Sequence, residues 1–182
     1  SLTKLFTASV VLRLVDRGVL DLQTSLQGWL PEVPWLPGTD TLVALMAHEA
    51  GLPAWLPLFE SVPVEERGSK QACWVMEGQC LGVSPSHAQE EALYSDIGFI
   101  LLSILLKRAT GKELMVLIGE EVLDPLQLTQ TRVSFASAGE TFLATIGATT
   151  VCPWKGNLLV GEVDDANARA MGGLSGHAGL FS

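Results

Sequence analysis

Ser1-Leu2-Thr3-Lys4 opens the chain as S-x-x-K and runs directly into the apolar-periodic segment Leu5 to Val15. If that segment is helical, residues three apart share a face, so Ser1 and Lys4 stand one above the other. A hydroxyl and an amine so placed form a nucleophile–base pair. A serine hydroxyl attacks carbonyl carbon well only when a neighbouring base takes its proton. Lysine serves as that base where desolvation or positive potential favours its neutral amine, and a helix N-terminus supplies such potential. The same four residues also read as a plain helix start, with Ser1 as N-cap and Lys4 in water. The rest of the chain has to decide between the two.

The chain has 182 residues, 48% of them hydrophobic, enough for one domain with a substantial core. Only 17% are charged, which points to extensive burial, and the net charge is −9. Acidic residues are spread along the chain and no basic run of five or more exists, so nucleic acid is not an expected partner. No stretch reaches the roughly 18 consecutive apolar residues of a membrane span. The nearest, Ile97 to Leu106, is bounded by Asp96 and Lys107-Arg108 and reads as a buried helix. No signal peptide is visible, and the first residue is not Met. Cys73, Cys80 and Cys152 lack C-x-x-C spacing and read as buried thiols, although a local Cys73–Cys80 disulfide is an alternative. His48, His87 and His177 are isolated, and no metal site is expected.

Along the chain, Ser1 to Arg17 reads as a helix closed by Gly18, with Leu5, Leu12 and Val15 facing the core. Three prolines break the stretch Pro31 to Gly38. Thr39 or Asp40 caps a helix over Thr41 to Ala50. Pro53 to Pro85 reads as irregular, with an apolar patch around Trp74. Ala88 to Leu93 leads into Tyr94-Ser95-Asp96. Asp96 to Ala109, closed by Gly111, is the strongest helical pattern, and Lys112 to Leu123 forms another. Thr131 to Phe135, Thr145 to Val151 and Asn157 to Val163 are richer in β-branched residues and read as short strands or extended loops. Met171 to Ser182 reads as a glycine-rich loop, with Ser182 as the cap of a further helix.

Tyr94-Ser95-Asp96 is the second stretch with chemistry in it. A rigid buried helix follows it directly. The chain's single tyrosine is there, and a phenol near Lys4 can relay a proton. The plainer reading makes Tyr94 a packing residue and Asp96 the helix N-cap.

Taken in order, these motifs resemble the serine β-lactamase and penicillin-binding-protein superfamily, in particular its class C-like branch of β-lactamases, D-alanyl-D-alanine peptidases and esterases. Leu45-Met46-Ala47-His48-Glu49-Ala50-Gly51-Leu52-Pro53 is similar to that branch's LLxHxSGLP. Tyr94-Ser95-Asp96-Ile97-Gly98-Phe99 is similar to its YSNxGF. Asp124-Pro125-Leu126 matches its xPLG, with Gln127 in place of Gly, and Gly172 to Ser182 resembles a glycine-rich turn found before a helix in many members.

The resemblance implies that Ser1 is the acylated nucleophile, Lys4 its activating partner and Tyr94 a second proton-transfer group. It makes Asp96 and His177 substrate-binding residues. Asp96 stands where many members carry Asn; an ionised Asp only accepts hydrogen bonds and would hold Lys4 cationic, which favours esterase or peptidase chemistry over strong β-lactam hydrolysis. His177-Ala178-Gly179 fits the third motif, [KH]-[TS]-G, only as H-x-G, in a context resembling the pocket-rim loop, so the third motif is expected beyond residue 182.

The expected fold is therefore mainly α, the helical lobe of the α/β β-lactamase/transpeptidase-like fold. It has a few short strands, and the flanking sheet is absent. Residues 1–182 are expected to be one partial domain cut at both ends, able to self-associate through the surface that would face the sheet. The implied function is a serine hydrolase acting through an acyl-enzyme on a β-lactam, a D-alanyl peptide of peptidoglycan or a carboxylic ester. No cofactor is implied, and a wall-facing enzyme would be periplasmic or otherwise extracytoplasmic. Three alternatives remain. One is a non-catalytic fragment serving as a binding or structural domain. An N-terminal-nucleophile hydrolase would start on a strand, whereas Ser1 starts a helical pattern. An α/β-hydrolase needs G-x-S-x-G, which Gly173-Leu174-Ser175-Gly176-His177 misses.

Overall fold

The structure is a computed structural model that describes residues 1–86, 92–133, 147–154 and 156–181. It is built on α4, Asp96–Thr110, in which Ile97, Phe99, Ile100, Leu101, Leu102, Ile104, Leu105 and Leu106 are all buried. A helix apolar on nearly every side must be covered on nearly every side. The covering comes from α1 (Thr3–Asp16), α2 (Leu42–Met46), α3 (Lys70–Leu81) and α5 (Leu114–Ile118). At its C-terminus Lys107 and Arg108 suit the helix dipole, and Gly111 takes the left-handed conformation (φ 71°) that ends the helix.

The first helix forms as expected but turns a different face inward. Leu5 and Leu12 are 65% and 50% exposed, and Thr3, Lys4, Thr7, Val10, Val11 and Leu14 form the buried stripe. Two threonines account for the difference, because each satisfies a backbone group of the glycine-rich tail. Thr3 Oγ1 accepts from the Leu180 N–H at 3.0 Å, and Thr7 Oγ1 donates to the Gly176 carbonyl at 2.8 Å. Hydroxyls with partners can be buried, which hydropathy alone does not register.

A second difference is α3, a twelve-residue helix inside the stretch expected to be irregular. Ser69 caps it by accepting the Ala72 N–H, and its core stripe is only Ala72, Met76 and Cys80, spaced four apart. Trp74, the centre of the expected apolar patch, is 59% exposed. All three cysteines are free; Cys80 and Cys152 are buried and Cys73 is half-buried. Burial, with the Glu77 charge next, pushes the Cys73 and Cys80 thiols up to about 12.

After α5 the chain widens into a π-type turn, Gly119–Leu123, within the helix expected over Lys112 to Leu123. Among the described residues the β structure is one two-stranded antiparallel ribbon, β1 (Ala148–Val151) against β2 (Leu158–Val160). Of the segment Thr131 to Phe135, residues 131–133 are described, and there Arg132 makes an antiparallel bridge to Phe181. Phe135, Thr145, Ser182, His87 and most of Ala88–Leu93 lie outside the described residues. A five-residue helix not expected from the sequence, α6 (Ala166–Ala170), is capped by Asp165. Among the described residues no helix is long and apolar enough to cross a membrane.

The glycine-rich tail is wedged between α1 and α4. A Cβ on Gly176 would stand 1.8 Å from the Phe99 carbonyl oxygen, so only glycine lets the tail lie this close. Gly176→Ala is therefore expected to cost about 3 kcal/mol or more, the scale of a severe overpacking. Urea unfolding followed by circular dichroism measures this, and a loss under about 1 kcal/mol would mean that the tail is not held against α4.

Candidate active site

Lys4 is 6% exposed, and a buried ammonium needs a counter-charge. It has one in Asp96, 92 residues away in sequence, with Nζ to Oδ1 at 2.5 Å. Asp96 is free to serve because it does not cap α4. Ser95 does, with its Oγ accepting the Gly98 N–H and donating to the Pro53 carbonyl. Asp96 thus occupies the first helical position, where the dipole favours a carboxylate.

Lys4 Nζ also lies 3.5 Å from Ser1 Oγ, the outer limit of a hydrogen bond. Catalytic contacts in a site without substrate are often this long. Ser1 does not cap α1, since the cap position is Leu2 with no side-chain bond, and its hydroxyl is left for chemistry.

Tyr94 joins the group through its ring. Lys4 Nζ sits 4.5 Å from the Tyr94 ring centroid and 5.6 Å from that of Phe99. Among the described residues the Tyr94 hydroxyl makes no hydrogen bond to Lys4, so the contact is cation–π rather than a proton path already formed. The structure therefore gathers Ser1, Lys4, Tyr94 and Asp96 around one ammonium.

His48 takes part in holding Tyr94. It adopts a left-handed backbone (φ 64°), accepts the Ser95 N–H on Nδ1 at 3.0 Å and packs its ring 4.5 Å from that of Tyr94. Burial, reinforced by the Lys4 charge, pulls the imidazole below its ordinary value, consistent with a neutral ring accepting at Nδ1. The sequence placed His48 inside a motif but gave it no task.

His177 lines the same groove, a space of about 380 Å³ bordered by Ser1, Asp96, Asp164, Asp165 and Gly179. Its Nε2 is 2.8 Å from Asp165 Oδ1. Asp165 was missed in the sequence; the signal was the cap pattern of Asp165 before Ala166-Asn167-Ala168, short enough to pass as loop. Burial works to raise the Asp165 carboxyl, but the His177 contact and the Ala168 and Asn167 N–H groups outweigh it, leaving it below the usual carboxylate range.

Asp96, Asp165 and His177 each bring one potential ligand atom within 4.8 Å of the others. The trio fits a metal ion poorly. Lys4 already holds Asp96, and ligation through His177 Nε2 would leave an N–H on Nδ1, a buried atom with no partner among the described residues.

A serine–lysine pair at the head of a helix, held by an acidic residue at the head of a central buried helix, defines a β-lactamase/transpeptidase-type helical lobe. The chain belongs to the Beta-lactamase family, which matches it over residues 1–182. It is 29% identical to the N-acetylmuramyl-L-alanine amidase of Bacillus subtilis strain 168, over 99% of this chain and 45% of that protein. It is 32% identical to the D-alanyl-D-alanine-carboxypeptidase/endopeptidase AmpH of Escherichia coli K12, over 72% of this chain and 35% of that protein. The class C beta lactamase of Rhodobacter sphaeroides superposes on 99% of the chain and 46% of its own length, with a TM-score of 0.64 at 18% identity, a likeness of fold. The chain spans less than half the length of these relatives.

Asp165 ties the groove to α6, and its depressed carboxyl fixes the sign of a pH effect. Its contribution to stability is present above the ordinary carboxylate range and is lost as pH falls through the lower, folded-state value. Asp165→Asn is expected to lower the melting temperature at neutral pH, and the gap to wild type should shrink as the solution is acidified. A gap constant from pH 7 to acid would show that the carboxylate charge is not what matters.

Proposed function

We propose that this chain forms the helical lobe of a serine hydrolase that works through an acyl-enzyme on Ser1. The observation that carries the reading is Lys4 Nζ standing 3.5 Å from Ser1 Oγ while anchored to Asp96. Family membership and relatives that include a carboxypeptidase/endopeptidase and an amidase support it.

In this reading the Ser1 hydroxyl adds to the carbonyl carbon and gives its proton to the Lys4 amine. The tetrahedral adduct collapses, expelling an amine or alcohol that takes a proton from Lys4 or, after a ring rotation, Tyr94. Water then attacks the ester, its proton passing back the same way. Substrates are D-alanyl peptides of peptidoglycan, carboxylic esters or β-lactams, and Asp96 and His177 line the space where they sit. Self-association through the exposed Leu2, Leu5 and Leu12 of the α1 region accompanies the proposal, to be read by size-exclusion chromatography of wild type against Leu5→Lys.

One observation favours a second reading. The 2.5 Å pair with Asp96 supplies Lys4 with a fixed counter-charge, which opposes its acting as a base and suits a binding domain that has lost catalysis.

The test is labelling of the complete natural chain with a fluorophosphonate and with a fluorescent penicillin. A covalent adduct is expected that Ser1→Ala abolishes and Lys4→Ala slows by about a hundred-fold or more, the scale of losing a general base. Asp96→Asn, which removes the counter-charge, is expected to speed acylation by about ten-fold. No Ser1-dependent adduct in a folded protein would leave the binding-domain reading in its place.

A further inference from the structure

Away from Ser1, two arginines converge on one tryptophan. The Arg67 guanidinium carbon lies 4.4 Å from the Trp154 ring centroid and that of Arg169 lies 4.5 Å from it. Arg67 also stands 5.1 Å from the Phe59 ring, which meets the Trp154 ring at 5.5 Å. Two like charges gathered over a single indole repel each other unless something negative joins them.

The described residues do not provide that charge. Among the described residues neither Arg67 nor Arg169 has an ion-pair partner, whereas Arg13, Arg17 and Arg108 are each paired with a carboxylate. Carboxylates are not scarce, since the chain has 20 acidic residues against 11 basic ones. Glu162 lines the same cavity without pairing to either arginine.

The two guanidiniums are fixed in place while part of their donor capacity is unspent. Arg67 Nε donates to the Val62 carbonyl at 3.0 Å. Arg169 donates through one terminal nitrogen to the Val163 and Asp164 carbonyls at 3.0 and 3.3 Å. Arg169 Nε is buried and has no acceptor among the described residues. A guanidinium has five N–H donors in a planar fork that matches a carboxylate. Beside them is a cavity of about 300 Å³ lined by Arg67, Gly68, Trp154, Arg169 and Gly173. Val163 lines both this cavity and the groove at Ser1, so the two spaces are neighbours.

We infer that this cavity is a carboxylate-binding subsite, holding an acidic group that the substrate carries away from the bond Ser1 attacks. The indole provides a flat apolar floor and the arginines orient the two oxygens. As a part of substrate recognition the subsite rests on the hydrolase reading; as a carboxylate site it does not.

The experiment titrates the complete natural chain, by calorimetry at constant ionic strength, with glutarate, with its uncharged isostere glutaramide and with inorganic phosphate. Glutarate is expected to bind at least about ten-fold more tightly than either of the others, the advantage of a bidentate charge-assisted contact. Arg67→Gln and Arg169→Gln should each weaken glutarate binding by about five-fold or more. In the same variants mono-p-nitrophenyl glutarate should lose kcat/KM relative to p-nitrophenyl valerate. Equal binding of glutarate and glutaramide overturns the inference, as do tighter binding of phosphate or folded variants with unchanged affinity. The wild-type comparison stands even if a variant fails to fold. Glutarate binding without a Ser1 adduct upholds the carboxylate site and removes its substrate role. An adduct without glutarate binding keeps the hydrolase and removes the subsite.

Discussion

The run of aliphatic side chains from Ile97 to Leu106 imposes the main constraint on this molecule, because α4 can be stable only when enclosed. Enclosure brings the starts of α1 and α4 into register, and the Lys4–Asp96 pair forms where they meet. The pair is a consequence of packing before it is a piece of chemistry. A lysine carried this deep must find a carboxylate, and breaking such a pair costs about 3–5 kcal/mol because the remaining charge is stranded. The surroundings of Ser1 are thus held by the same burial that holds the fold. Ser95 makes the arrangement workable: by capping α4 itself, it releases Asp96 from a structural duty that the sequence pattern would have assigned to it.

Much of this could be read from the residues. The α4 pattern is unambiguous, Gly111 ends the helix where expected, and Ser1, Lys4, Tyr94 and Asp96 converge as their motifs implied. What was not legible has specific causes. α3 buries a stripe only one residue wide per turn, too narrow for periodicity to stand out, while exposed Trp74 gave a false apolar signal. On α1, Thr3 and Thr7 displaced Leu5 from the buried face because their hydroxyls have backbone partners 177 and 169 residues away, a matching that no local pattern contains. Asp165 and His177 are only 12 residues apart, but the short helix between them gives no periodic signal. The ring-first approach of Tyr94 to Lys4 is likewise a matter of side-chain orientation, set by His48 and its left-handed backbone.

The charges around Ser1 and those around Trp154 are arranged on opposite plans. At the groove, Lys4 faces Asp96 and His177 faces Asp165, so each of these two basic groups has a carboxylate supplied by the fold. Such internal pairing keeps these side chains in fixed positions. At Trp154 the fold supplies backbone carbonyls to fix the planes of Arg67 and Arg169 but, among the described residues, no paired carboxylate. Uncompensated positive charge in a chain of net charge −9 is a local field of the sign opposite to its surroundings. In the proposed reading, a groove that positions its own groups beside a cavity that takes an acidic one divides recognition from bond-breaking. On that reading, binding energy gained over the indole would hold a reacting carbonyl at Ser1, where proximity contributes to catalysis.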